Sequence, residues 1–289
     1  WYNVGKLRNS GFEFDLNVKL IQKKDWYWDM SVNGYTYANK MLNLPDEYKV
    51  SGMPNGNQRI YEGKDIYRWE MRQFAGLDEK GNSLWYMDQD ILDDAGNVVG
   101  VEKVTTGDAT EATQYLLEKS ALPDFTGGLN TTLRWKSLDL TIMTNFQFGG
   151  YGYDYDFSAF SSANFPMNRL KNYADAWNPE TGKGSAPIWN TNDSNINASS
   201  DRFLISKTYF NLRNITLGYT FPANWMSKIG IKSVRVYFAC DNVFFASKRK
   251  GYDPRTSMGG QGATVALNSV DGTYYSPIRT TSVGLNINF

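Results

Sequence analysis

The chain has 289 residues, with 30 basic and 30 acidic side chains, no histidine and one cysteine. Without histidine there is no Ser-His-Asp or Cys-His nucleophile system, no histidine-bearing zinc or non-haem iron site and no imidazole switch. Cys240 alone can form neither an intrachain disulfide nor a cysteine-rich metal site, and zero net charge offers no basic footprint for nucleic acid.

Hydrophobic residues make up 41% of the chain, yet mean hydropathy is −0.50, so they are dispersed. No run approaches the roughly 18–20 consecutive apolar residues of a spanning helix. A spanning β-barrel stays open, because its strands alternate and keep hydropathy low. The opening Trp1-Tyr2-Asn3-Val4-Gly5 lacks Met, a basic stretch and an apolar stretch, so no signal peptide is expected there.

In chain order, Phe12, Phe14, Leu16, Val18 and Leu20 alternate with Glu13, Asp15, Asn17 and Lys19, a period of two without exception. After a turn at Gln22–Asp25, Trp28, Met30 and Val32 oppose Asp29, Ser31 and Asn33, which predicts a hairpin. A second hairpin joins Phe125–Trp135 to Leu138–Phe148 at Lys136-Ser137, each arm near the ten residues of a tilted spanning strand. A third joins Tyr209–Phe221 to Val234–Phe244. Phe210 and Leu212 fall on the opposite parity from Ile215, Leu217 and Tyr219, so a bulge is expected near Arg213. Val283, Leu285, Ile287 and Phe289 form a last alternating strand.

The expected strands therefore lie near 6–21, 26–37, 122–135, 138–148, 207–221, 233–245 and 278–289. Connections after the first, third and fifth are short; those after the second, fourth and sixth are long. Outer-membrane barrels have short periplasmic turns and long outside loops. Alternation by itself fits equally well a secreted soluble β-sandwich that binds or cleaves carbohydrate. The strict loop asymmetry, with Trp26, Trp28, Trp135, Phe221 and Trp225 gathered near the short turns, favours the barrel. Seven strands cannot close one, since bacterial single-chain barrels use an even number and an open edge is unsatisfied in lipid.

Several segments together resemble the SusC/RagA family of TonB-dependent outer-membrane transporters. Asn3-Val4-Gly5-Lys6-Leu7-Arg8-Asn9-Ser10-Gly11-Phe12-Glu13 is similar to one of its barrel-strand openings, and Leu122-Pro123-Asp124-Phe125-Thr126-Gly127-Gly128 with Leu138-Asp139-Leu140 to one of its hairpins. Tyr209–Pro222 resembles a further strand, with Phe210-Asn211 where Leu-Arg is usual. Arg235-Val236-Tyr237, Asp241-Asn242-Val243-Phe244, Gly251-Tyr252-Asp253-Pro254 and the ending Arg279–Phe289 follow in the family's order. The resemblance implies an all-β fold: the C-terminal seven or so strands of a 22-stranded antiparallel transmembrane barrel, with Phe289 as its terminal signature and with the plug, TonB box and earlier strands outside this chain.

It further implies a multi-pass barrel in the outer membrane of a Gram-negative bacterium that imports a large nutrient, an oligosaccharide first and an oligopeptide next, and is not an enzyme. Implied partners are a SusD-like surface lipoprotein, the TonB-ExbB-ExbD complex acting through the missing N-terminal part, outer-membrane lipid, nutrient cargo, and a second copy in a dimer of the SusC–SusD pair.

Candidate ligand-binding residues are loop aromatics that could stack on sugar: Trp69, Trp85, Tyr86, Tyr153, Tyr155 and Trp189. Trp177, in Trp177-Asn178-Pro179-Glu180-Thr181-Gly182, resembles a family loop motif and reads as structural. Arg134, Arg235 and Arg279 are expected to face the lumen, with acidic groups of the plug or of adjacent strands as partners. Between Glu62 and Glu118 thirteen acidic residues meet five basic ones, a net −8 balanced by +8 elsewhere. There Asp88, Asp90, Asp93 and Asp94 could ligate Ca²⁺, but Asp78–Asn82 and Asp93–Asn97 read more simply as hairpin turns, and no cofactor is expected.

Overall fold

The computed structural model describes residues 5–161, 175–190, 195–196, 198–248 and 278–289. Its strands in chain order are β1 (Lys6–Gln22), β2 (Trp26–Asn43), β3 (Met53–Asn55), β4 (Gln58–Ile60), β5 (Arg68–Arg72), β6 (Phe74–Leu77), β7 (Ser83–Leu92) and β8 (Val98–Thr106). They continue with β9 (Gln114–Ser120), β10 (Pro123–Trp135), β11 (Leu138–Gly149), β12 (Tyr151–Tyr153), β13 (Leu204–Ser206), β14 (Tyr209–Thr220), β15 (Ser233–Ser247) and β16 (Thr280–Asn288). The Gly251-Tyr252-Asp253-Pro254 motif lies outside the described residues.

Seven strands form one antiparallel sheet, ordered β1-β2-β10-β11-β14-β15-β16. Each strand is the next available neighbour along the chain, and the long connections emerge at one end. In the two-residue turn between β10 and β11, Lys136 takes a left-handed backbone (φ 53°). The register of β14 slips at Arg213 against both of its neighbours. That bulge restores parity, so that Phe210 and Leu212 rejoin the face of Ile215 and Leu217.

Register and pleat sort the side chains into two faces. Phe12, Phe14 and Leu16 align with Gly34 and Val32, then Gly127 and Leu129, then Phe146 and Thr144. Among the described residues this apolar face carries no second layer. Phe12 is 67% exposed and Val283 76%, and Leu16, Leu217, Phe238, Phe244 and Leu285 are exposed as well. A sandwich would bury these residues against a facing sheet.

Two aromatic rows cross this face. Near the short turns Trp26 stacks on Trp135 at 5.7 Å. Higher up, Phe12, Phe14, Phe125, Phe146 and Phe148 follow one another at 5.6–6.4 Å. Gly34 makes that row possible, since a Cβ there would meet the rings of Phe125 and Phe14. Ten residues separate Phe125 from Trp135; at roughly 3.3 Å per residue and a tilt near 40° the rows stand about 25 Å apart, the height of an outer-membrane apolar band.

The segments beyond the wall are not open loops. β3-β4-β5-β9 and β6-β7-β8 form two small sheets, and β12 pairs with β13. Trp69, Met71, Leu117, Ala121, Tyr153, Phe203 and Leu204 make a core among them, with Trp69 Nε1 donating to Tyr151 O at 3.1 Å. The buried hydrophobic residues lie mostly here, because the wall has no partner layer to bury its own against. Replacing Trp69 with alanine should cost the outside unit about 3–5 kcal/mol. Hydrogen exchange in the intact protein checks this: protection should fall in β5 and β9 and persist in β1, β2 and β10.

Candidate functional site: the inner face of the wall and its mouth

The opposite face of the sheet is polar. Near the short turns, Tyr27 OH donates to Asp29 Oδ2 at 3.0 Å, and Asp29 Oδ1 accepts from the Thr132 amide at 3.0 Å. Arg134 stands in register opposite Asp139 and lies 5.0 Å over the Tyr27 ring. Asp139 is taken instead by Arg235, whose Nε donates to Oδ1 at 3.0 Å while Nη2 donates to Oδ2. This fork crosses an intervening strand, β14, and Gly218 is why it can: a Cβ there would meet the guanidinium and both carboxylate oxygens. Tyr237 likewise lies over Gly284. Higher on the same β11 and β14, Asn211 donates to Asn145 Oδ1 at 2.8 Å and Asn145 to Tyr209 OH at 3.2 Å.

Arg279 departs from the expected lumen position. It precedes β16 on the parity of Thr281 and Val283, the apolar face, and its guanidinium donates to Val243 O at 2.7 Å. Parity counted from Val283 would have placed it there. Conversely, the exposed Tyr35 and Tyr37, missed in the sequence, share the inner face with Asp29 and Asn33, and the same count could have found them.

At the upper end β10 parts from β2 beyond the Thr126–Tyr35 pair, while β2 runs on to Asn43. The wedge between them holds a cavity of about 780 Å³, bordered by Tyr37, Lys40, Asp65, Arg68, Glu118 and Tyr151. Asn39 Oδ1 accepts from the Ile66 amide at 3.0 Å and ties the outside unit to the wall. Arg68 pairs with Asp65 and Glu118; its hydrogen bond holds the Glu118 carboxyl below the usual carboxylate range. Nearby, Lys207 donates to Ala121 O at 3.2 Å, and burial lowers its ammonium below the ordinary lysine value.

The loop aromatics split. Trp69, Trp85 and Tyr153 are buried at 4%, 2% and 3% exposure, so they pack the outside unit and present no ring face to a ligand. Small sheets of two to four strands hide residues that a linear reading leaves in loops. Tyr155 is half-buried against Tyr153, and Tyr86 is half-buried beneath the Lys103 ammonium, 4.4 Å from its ring. Trp189 is exposed. Trp177 is enclosed by Gly81 and Gly184, where Cβ atoms would meet it.

Asp88, Asp90, Asp93 and Asp94 do not converge. Asp93 accepts from the Ala95 and Asn97 amides at 2.9 and 2.8 Å, and Asp88 accepts from Tyr115 OH at 2.6 Å. Among the described residues, no three cysteine or carboxylate side chains gather as a metal would require. Burial, then the bond to Asp88, pushes the Tyr115 phenol up to about 12.

No family model matches the chain. It is 25% identical over 308 residues to TonB-dependent receptor P3 of Formosa agariphila and 26% identical over 294 residues to TonB-dependent receptor SusC of Bacteroides thetaiotaomicron. Each match takes in 99% of this chain but only 29% and 27% of those proteins, so the chain spans under a third of the length of these curated relatives. A solved structure described as the RagAB peptide transporter superposes on 99% of the chain with a TM-score of 0.76 and 25% identity, covering 30% of that chain. The fold and the matches thus make the chain similar to one segment of proteins of the TonB-dependent receptor class. Within that class the chain is SusC/RagA-like, and these relatives are receptors and a transporter, not enzymes.

Two outcomes follow from the geometry. Gly218→Ala should separate Arg235 from Asp139 and lower stability by about 1–3 kcal/mol, read as an earlier loss of the folded band on heating in the full-length protein. Asp93 is held below its ordinary value, chiefly by the Asn97 amide, so its contribution is complete above the unfolded carboxylate pKa near ~3.9 and is lost as pH falls through the lower folded value. Protection factors at the β7–β8 turn, corrected for the intrinsic pH dependence of amide exchange, should therefore hold at pH 5 and fall below about pH 4.

Proposed function

We propose that this chain is the C-terminal wall and mouth of a 22-stranded outer-membrane barrel that imports a large nutrient with energy from the TonB complex. One observation carries this reading: an unlayered apolar face, banded by two aromatic rows about 25 Å apart, backs a polar inner face on a single sheet. The remaining strands, the plug and the TonB box would belong to the rest of a protein about three times as long. A SusD-like lipoprotein would close over the outside unit, and the pair would work in a Gram-negative outer membrane, singly or as a dimer. The full-length product should require detergent for extraction; recovery in the soluble fraction would sink the barrel reading and revive a secreted sandwich.

For the cargo, three of the ring platforms that could stack on sugar, Trp69, Trp85 and Tyr153, are buried in the outside unit. The wedge carries both signs of charge, Lys64 and Arg68 with Asp65, Glu118 and Asp124, which suits the termini and side chains of an oligopeptide. The RagAB relative, described as a peptide transporter, supports the same choice. Calorimetry on the full-length receptor with its lipoprotein should give heat with mixed oligopeptides and none with neutral oligosaccharides; the reverse would return the cargo to glycans.

Arg235 serves the wall and the plug. Arg235→Ala should raise protease access to the plug while leaving cargo affinity within about twofold, since a distant inner-wall charge adds little to a mouth site. A lost affinity with an unmoved plug would refute this assignment. The β7–β8 hairpin needs no structural cation in this reading.

A further inference from the structure

Charge is sorted between the faces of the wall. The acidic residues of the wall strands, Glu13, Asp15, Asp29, Asp139 and Asp241 among them, fall on the inner parity, and none falls on the outward rows. Cations do appear on those rows, at the end away from the short turns. Arg8 is four residues beyond Phe12, and Lys40 stands directly opposite it. Lys248, just past β15, continues the row of Phe244 and Ala246, and Arg279, just before β16, continues that of Val283 and Thr281.

Four residues along a tilted strand raise a side chain about 10 Å above the upper aromatic row. That is headgroup depth, since the polar zones add some 5–8 Å to each side of a ~30 Å hydrocarbon core. Arg8 and Lys40 form a like-charged cross-strand pair, an arrangement that destabilises a sheet unless something offsets it. Among the described residues, the side chains of Arg8, Lys40 and Lys248 have neither an ion pair nor a hydrogen bond. The acids that share the wedge with Lys40, Asp65 and Glu118, are committed to Arg68.

We infer that Arg8, Lys40, Lys248 and Arg279 form an outward cationic fringe that binds the phosphate of a glycolipid headgroup in the outer leaflet. The anion would sit between Arg8 and Lys40 and turn their repulsion into two charge-assisted contacts. At the other side of the sheet Lys248 and Arg279 are not opposed to each other: Arg279 stands beside Val243, five residues short of Lys248, so each adds a separate cation to the fringe. This rests on the membrane-wall reading, whose failure is separately visible as solubility without detergent.

The test uses the full-length receptor in detergent micelles, titrated with phosphorylated lipid A, dephosphorylated lipid A or inorganic phosphate, and followed by thermal shift and binding. Phosphorylated lipid A should stabilise the native receptor, and Arg8→Gln, Lys40→Gln and Lys248→Gln should each weaken its binding about fivefold. Arg8→Lys should retain binding, which separates loss of charge from loss of fold. Equal binding of the dephosphorylated lipid, or unchanged binding by the three glutamine variants, would overturn the inference. So would full reproduction of the shift by inorganic phosphate, which would make the fringe a simple anion site.

Discussion

The wall depends first on continuous strand-to-strand hydrogen bonding along seven neighbours, and the rest of the structure is attached to it. An apolar face without a covering layer supplies no hydrophobic core, and the inner face is polar. Backbone ladders of nine to eighteen residues therefore carry the sheet. In lipid those ladders would strengthen in effect, since no water competes for the amides.

Glycine is the second device on which the wall relies. Gly34 admits the rings of Phe14 and Phe125 on the outward face, and Gly218 admits the Arg235–Asp139 fork on the inward one. Each lets a long side chain lie flat across a neighbouring strand. The outward case makes an unbroken aromatic row; the inward case lets an ion pair bridge β11 and β15 over β14. Both uses tie together strands that share no backbone bonds.

The outside unit follows ordinary globular rules. It collects buried tryptophans, pairs its charges and caps its turns with aspartate, as Asp78 and Asp93 do. Its attachments to the wall include Asn39 to Ile66 and Met41 to the Gly63-Lys64 segment. An outside unit built this way can keep its shape independently of the wall to which it is attached.

Alternation in the sequence determined the strands, their faces and the place of the bulge at Arg213, because a period of two is written locally in each segment. The SusC/RagA resemblance rests separately on motifs such as Leu122–Gly128 and Tyr209–Pro222. What alternation could not determine was which aromatics in the long connections are free. Trp69 and Trp85 look exposed in a line of loop residues and are among the most enclosed side chains, since their burial is made by strands far apart in the chain. The partner of Arg235 was equally hidden: Asp139 lies 96 positions away, and only the strand order and a missing Cβ at Gly218 bring the two within reach. Local periodicity fixes what a strand shows to each side; contact across strands is decided by register, which no single segment contains.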